Sequence, residues 1–112
     1  MEIIEEKKDE IHVFKLNGRL DSNTSPDFEE SIFQAIDGGT RRIVVDCGQL
    51  EYITSAGLRV LNKTAKRLKP DEGKVVLCAM EDYVREVFEI AGFDTFLPIV
   101  SGLDEALARA KE

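Results

Sequence analysis

Arg42-Ile43-Val44-Val45-Asp46-Cys47, continuing through Ile53-Thr54-Ser55-Ala56-Gly57-Leu58 to Lys69, is the stretch that decides the fold. Its first part is a short apolar run of β-branched residues, the composition of a buried strand. Its last part places Leu58, Leu61, Ala65 and Leu68 on one face at helical spacing and stops before Pro70. A strand that feeds a basic amphipathic helix puts one serine, Ser55, at the helix start. There it adjoins unpaired backbone N–H groups and the positive end of the helix dipole, a site suited to an added phosphate as well as to ordinary capping.

The pattern repeats on either side. Strand-like runs occur at Ile3-Ile4, Ile11 to Leu16, Val75 to Ala79 and Phe96 to Ile99, with Lys8-Asp9-Glu10 turning a hairpin between the first two. Phe28, Ile32, Ala35 and Ile36 share a helical face, with Ser25 as cap, Pro26 at the first helical position and Gly38-Gly39 as the stop. Val84, Val87, Phe88 and Ala91 form a third helix that ends at Gly92. Ser101 opens a fourth, through Leu103, Ala106, Leu107 and Ala110. The order β-β-α-β-α-β-α-β-α predicts a single α/β domain over residues 1–112. Its mixed β-sheet begins with an N-terminal hairpin and packs about four helices.

A length of 112 residues is one domain, and 43% hydrophobic with 33% charged residues is a globular composition. No apolar run approaches the roughly 20 residues of a spanning helix. The opening Met1-Glu2-Ile3-Ile4-Glu5-Glu6-Lys7-Lys8 lacks the basic start and apolar stretch of a secretory signal, so a cytoplasmic protein is expected. A net charge of −7 opposes nonspecific binding to nucleic acid and favours protein partners.

Catalytic and cofactor signatures are weak. His12 is the lone histidine and sits in the hairpin strand, with nothing to bring it to Ser55 as a base. Cys47 and Cys78 each end an apolar run and read as small buried side chains. Gly38-Gly39 and Gly57 do not make a phosphate loop or dinucleotide fingerprint, and no metal-ligand spacing is present. The chain is therefore not expected to be an enzyme or to carry a metal or cofactor.

Leu50-Glu51-Tyr52-Ile53-Thr54-Ser55-Ala56-Gly57-Leu58-Arg59-Val60-Leu61 resembles the anti-sigma factor antagonists, which are STAS-domain proteins. The resemblance extends through Leu16-Asn17-Gly18-Arg19-Leu20-Asp21 to the strand Ile43-Val44-Val45-Asp46. It resumes at the late helix and turn from Asp82 to Phe93. It implies that the unphosphorylated protein binds an anti-sigma factor that is also a serine kinase, which frees the sigma factor for transcription. Phosphorylation of the motif serine, at Ser55, would end that binding, and a serine phosphatase would restore it. The family usually reads Asp-Ser-Ser-Gly or Asp-Ser-Thr-Gly, whereas this chain reads Thr54-Ser55-Ala56-Gly57 and lacks the acidic residue.

The resemblance also assigns the loop Asp21-Ser22-Asn23 to partner contact, together with Thr54, Ser55, Ala56, Gly57 and Arg59. Plain alternatives stand beside each assignment. Ser55 or Thr54 can be an ordinary cap, Asp21 an ordinary loop former, and the basic residues Arg59, Lys63, Lys66, Arg67 and Lys69 a solvated face. A nonphosphorylated STAS interaction or ligand-sensing module is the alternative function.

Overall fold

Two strands open the chain because alternating side chains on Glu2–Lys8 (β1) can face the same core as those on Ile11–Leu20 (β2) when the two pair antiparallel. Asp9, at φ 58°, makes the turn between them. The computed structural model describes residues 1–112 and continues with α1 (Ser25–Asp37), β3 (Arg42–Ile53), α2 (Ser55–Leu68) and β4 (Lys74–Cys78). It then adds α3 (Asp82–Ile90), β5 (Ile99–Val100) and α4 (Leu103–Lys111). The sheet order is β1-β2-β3-β4-β5, with every pairing after the hairpin parallel.

That order distributes the helices. Parallel crossovers are right-handed, and three that advance in the same direction along a sheet land on the same face. Phe28 and Ile32 of α1, Leu58 and Leu61 of α2, and Val84 and Phe88 of α3 accordingly share a core with Phe14, Val45 and Leu77. The last helix follows the last strand, and its Ala106 and Ala110 cover Val13, Val44 and Val76 on the opposite face.

Several boundaries differ from those the sequence predicts. β3 runs on past Cys47 to Ile53, since the polar Gly48, Gln49 and Glu51 alternate with buried Leu50. Register shifts between Lys15 and Asn17 and between Gly18 and Arg19 let β2 follow it to Leu20. β4 lies one residue earlier than expected, ending before Ala79, whose φ of +64° breaks the strand. β5 is Ile99–Val100 rather than Phe96 to Ile99, because Phe93–Thr95 winds into a 3-10 turn and Phe96 is left 49% exposed. Ser25 does not cap α1. It is the first helical residue and is buried, and Thr24 holds the capping position. Ser101 lies one residue outside the α4 cap, Gly102, and donates to Glu105 Oε1 at 3.1 Å.

Candidate functional site

The ends of β2 and β3 are tied together where both chains leave the sheet. Leu20 pairs with Ile53 in register, and the Thr54 N–H donates to the Leu20 carbonyl at 3.0 Å. The residues that follow, Asp21 on one side and Ser55 on the other, therefore emerge side by side. Two loops assigned to one site from sequence are brought to one end of the sheet.

Thr54 is extended, with φ −107° and ψ 177°, and its carbonyl accepts the Leu58 N–H at 3.1 Å, which starts α2. The capping position is therefore Thr54, one residue before the serine, yet its hydroxyl makes no capping bond and is buried without a partner. Ser55 is the first helical residue and is exposed. Of the two neighbouring hydroxyls, only that of Ser55 faces solvent. The first turn of α2 holds no acidic residue, so its unpaired N–H groups and dipole end stay uncompensated.

Gly57 fixes how close this helix start comes to the sheet. A Cβ at that position would lie 2.8 Å from Leu20 Cδ2 and 2.9 Å from Ile53 Cγ1. Space therefore requires the glycine here. Ala56 is half-buried beside it, and Arg59 is exposed one turn on, on the side of the helix that carries Ser55.

The neighbouring loop is held by Asp21. Its Oδ1 accepts the N–H of Asn23 at 2.9 Å and of Thr24 at 3.1 Å. Its own N–H donates to Thr24 Oγ1 at 2.9 Å, and that hydroxyl donates to the Arg19 carbonyl at 2.8 Å. The Asn23 and Thr24 N–H groups stabilise the charged form and hold the Asp21 carboxyl below its ordinary value. Asp21 is therefore a loop former, and the exposed Ser22 and Asn23 supply the reachable tip. Sequence reading passed over Arg19 and Tyr52, which precede these loops and stack with the guanidinium 4.9 Å from the ring centroid. Their paired register at the strand ends was hidden by the β2 irregularity.

The basic face of α2 divides. Lys63 pairs with Glu29 at 3.0 Å, and Arg67 with Asp37 at 2.6 Å, so both tie α2 to α1. Arg59, Lys66 and Lys69 have no carboxylate partner within 4.0 Å. His12 stacks on Phe14 with ring centroids 4.5 Å apart and bonds Glu5 through Nε2 at 2.9 Å. Roughly 25 Å of strand separates it from the Leu20 end, so it does not serve Ser55. Burial pushes the thiols up, Cys47 strongly and Cys78 to about 12, which leaves both protonated and unreactive at neutral pH. No group of three or more His, Cys, Asp or Glu side chains converges as metal ligands. No helix is long and apolar enough to cross a membrane.

The site is thus a serine-tipped helix on a single mixed sheet, beside a carboxylate-braced loop. The STAS domain model matches residues 2–106, and the chain belongs to that family. It is 39% identical over 111 residues to BtrV of Bordetella bronchiseptica, covering 99% of this chain and 96% of that one. An anti-sigma-B factor antagonist of Staphylococcus aureus is 28% identical over 97 residues, covering 87% and 90%. The crystal structure of an anti-sigma factor antagonist from Mycobacterium paratuberculosis superposes with a TM-score of 0.91 at 25% identity, covering 99% and 94%. The Bacillus cell fate determinant SpoIIAA in its phosphorylated form gives 0.77 at 22%, covering 96% and 98%.

Proposed function

We propose that this chain is an anti-sigma factor antagonist of the cytoplasm, one STAS domain over residues 1–112. With Ser55 free it binds an anti-sigma factor serine kinase and so releases a sigma factor. Phosphorylation of Ser55 ends the complex, and a serine phosphatase restores it. Thr54, Ala56, Gly57 and Arg59 with Asp21, Ser22 and Asn23 form the contact surface.

The observation that carries this reading is the exposure of Ser55 at the start of a 14-residue helix whose first turn has no acidic residue. A phosphate there would add about −1.5 to −2 charge where free N–H groups favour it, so the fold would tolerate it. A partner packed on the same surface would not. The usual acidic residue before the serine is replaced by Thr54, whose hydroxyl is buried and unsuited to compete as acceptor. Kinship with named anti-sigma factor antagonists supports the class of partner.

Incubation with ATP and the cognate anti-sigma kinase, followed by intact-mass and site-mapping spectrometry, tests the assignment. One phosphate on the wild type, mapped to Ser55, and none on Ser55→Ala is the expected result. Phosphate on neither, with the kinase active on a control substrate, would favour a nonphosphorylated interaction module instead.

A further inference from the structure

β5 covers only part of the outer side of β4. It pairs with Leu77 and Cys78, while Lys74, Val75 and Val76 have no strand beyond them. Pro98, which precedes β5, has no N–H, so the ladder cannot continue along Val75. A groove of about 880 Å³ opens at that bare edge.

The groove wraps around the edge and does not lie on one face. Phe93, Phe96 and Ala65 line it on the side of the three crossover helices, where Val75 points. Arg109 and Glu112 line it on the α4 side, where Val76 points. An occupant that reaches both faces while lying along an unpaired strand is an added strand, whose successive side chains point to opposite faces. The lining charge selects among such strands. Lys66, Lys69, Lys74 and Arg109 face two carboxylates, Glu72 and Glu112, in a chain whose net charge is −7. Only Arg109 has a carboxylate within reach, Glu112 at 3.9 Å.

We propose that the β4 edge is a docking site for a short extended acidic peptide segment of a partner protein. Its backbone pairs with Val75, the residue of this stretch whose N–H and C=O point away from β3, since the Lys74 N–H already donates to the Arg41 carbonyl. An apolar side chain opposite Val75 packs against the Phe93–Phe96 pair, whose ring centroids lie 5.3 Å apart. Acidic side chains on either side of that residue face Lys74 and Arg109, with Lys66 and Lys69 at the rim. This site is separate from Ser55 and does not depend on its phosphorylation.

A fluorescein-labelled Glu-Leu-Glu-Leu-Glu peptide is the probe, read by fluorescence anisotropy and by amide shifts of the full-length ¹⁵N-labelled protein. Saturable binding with shifts confined to Lys74–Val76, Phe93–Phe96 and Arg109 is expected. N-methylation of alternate peptide nitrogens should weaken binding roughly five- to tenfold, because it removes backbone pairing. The exposed double variant Lys66→Glu/Lys69→Glu should weaken it by a similar factor through charge alone. Equal binding of the N-methylated peptide would overturn strand addition, since a purely electrostatic or detergent-like contact ignores the backbone. Absence of binding at millimolar peptide, or self-association by sedimentation that buries this groove against peptide competition, would overturn it as well.

Discussion

The starts of α1 and α2 lie at the same end of the sheet and are finished in opposite ways. At α1, Asp21 takes the N–H groups of Asn23 and Thr24, Thr24 is bonded in turn, Ser25 is buried and Asp27 sits in the first turn. Neither start has a side-chain capping bond, but at α2 no acid compensates the dipole and Ser55 faces solvent. The first helix start is closed by negative charge from its own chain. The second is left open to negative charge from elsewhere, which is what a phosphorylation switch requires.

The largest expected effect on this contrast comes from Gly57. Gly57→Ala drives a methyl into Leu20 and Ile53, lifts the α2 start from the sheet and should cost about 1–3 kcal/mol in chemical denaturation. The matching change at the end of α1, Gly38→Ala, meets its neighbours only at 3.4 Å and should cost far less. An unchanged denaturation midpoint in Gly57→Ala would show that close approach does not set the α2 start.

Ser55→Glu comes next. It should weaken kinase binding at least tenfold, about 1.4 kcal/mol, while stability stays level or rises by about 0.3–1 kcal/mol through the helix dipole. A fall in melting temperature would mean that α2 does not welcome charge at its start. The counterpart at α1, Asp21→Asn, should weaken the complex and leave the fold intact, as calorimetric titration and circular dichroism would read.

The same variant gives a pH signature. The folded carboxyl of Asp21 lies below its unfolded value near 3.8, so its contribution to stability is present above that value and is lost as pH falls through the folded one. The stability difference between wild type and Asp21→Asn should therefore shrink as pH falls below about 3.8. A difference that is flat with pH would contradict the bonding assigned to Asp21. The smallest effect belongs to Ser25→Ala. Its buried hydroxyl has no partner, and its removal should leave stability level or raise it by less than about 1 kcal/mol, whereas a clear loss on thermal melting would show that the hydroxyl is bonded.

Much of this arrangement was legible in the chain. The apolar faces of the four helices and the β-branched run before Ser55 carry strong periodicity, and the motif around Ser55 places it on a helix start. Strand ends were less legible. Gln49 and Glu51 look like loop residues, and only their alternation with buried Leu50 and Ile53 on a bulged partner keeps them in β3. The cap of α1 lies one residue before the Ser25 that sequence rules select, and of the two candidate caps at α2 Thr54 holds the position, with a buried hydroxyl that makes no capping bond. Asp21 reads from sequence both as a loop former and as a partner residue, and the hydrogen bonds supply the partners through which it braces the loop, Asn23 and Thr24. The bare edge of β4 was hidden because Phe96, Leu97 and Pro98 read as strand, while the chain joins β4 only from the Pro98 carbonyl, which accepts the Leu77 N–H at 2.9 Å, through Ile99–Val100.

The most direct test of the open helix start is a calorimetric comparison of Ser55-phosphorylated and unphosphorylated protein binding the cognate anti-sigma kinase, with melting curves of both forms. Affinity lowered at least tenfold with an unchanged or higher melting temperature is the predicted outcome. Equal affinities, or weaker binding accompanied by a large loss of melting temperature, would contradict a switch that acts at the surface of an intact fold.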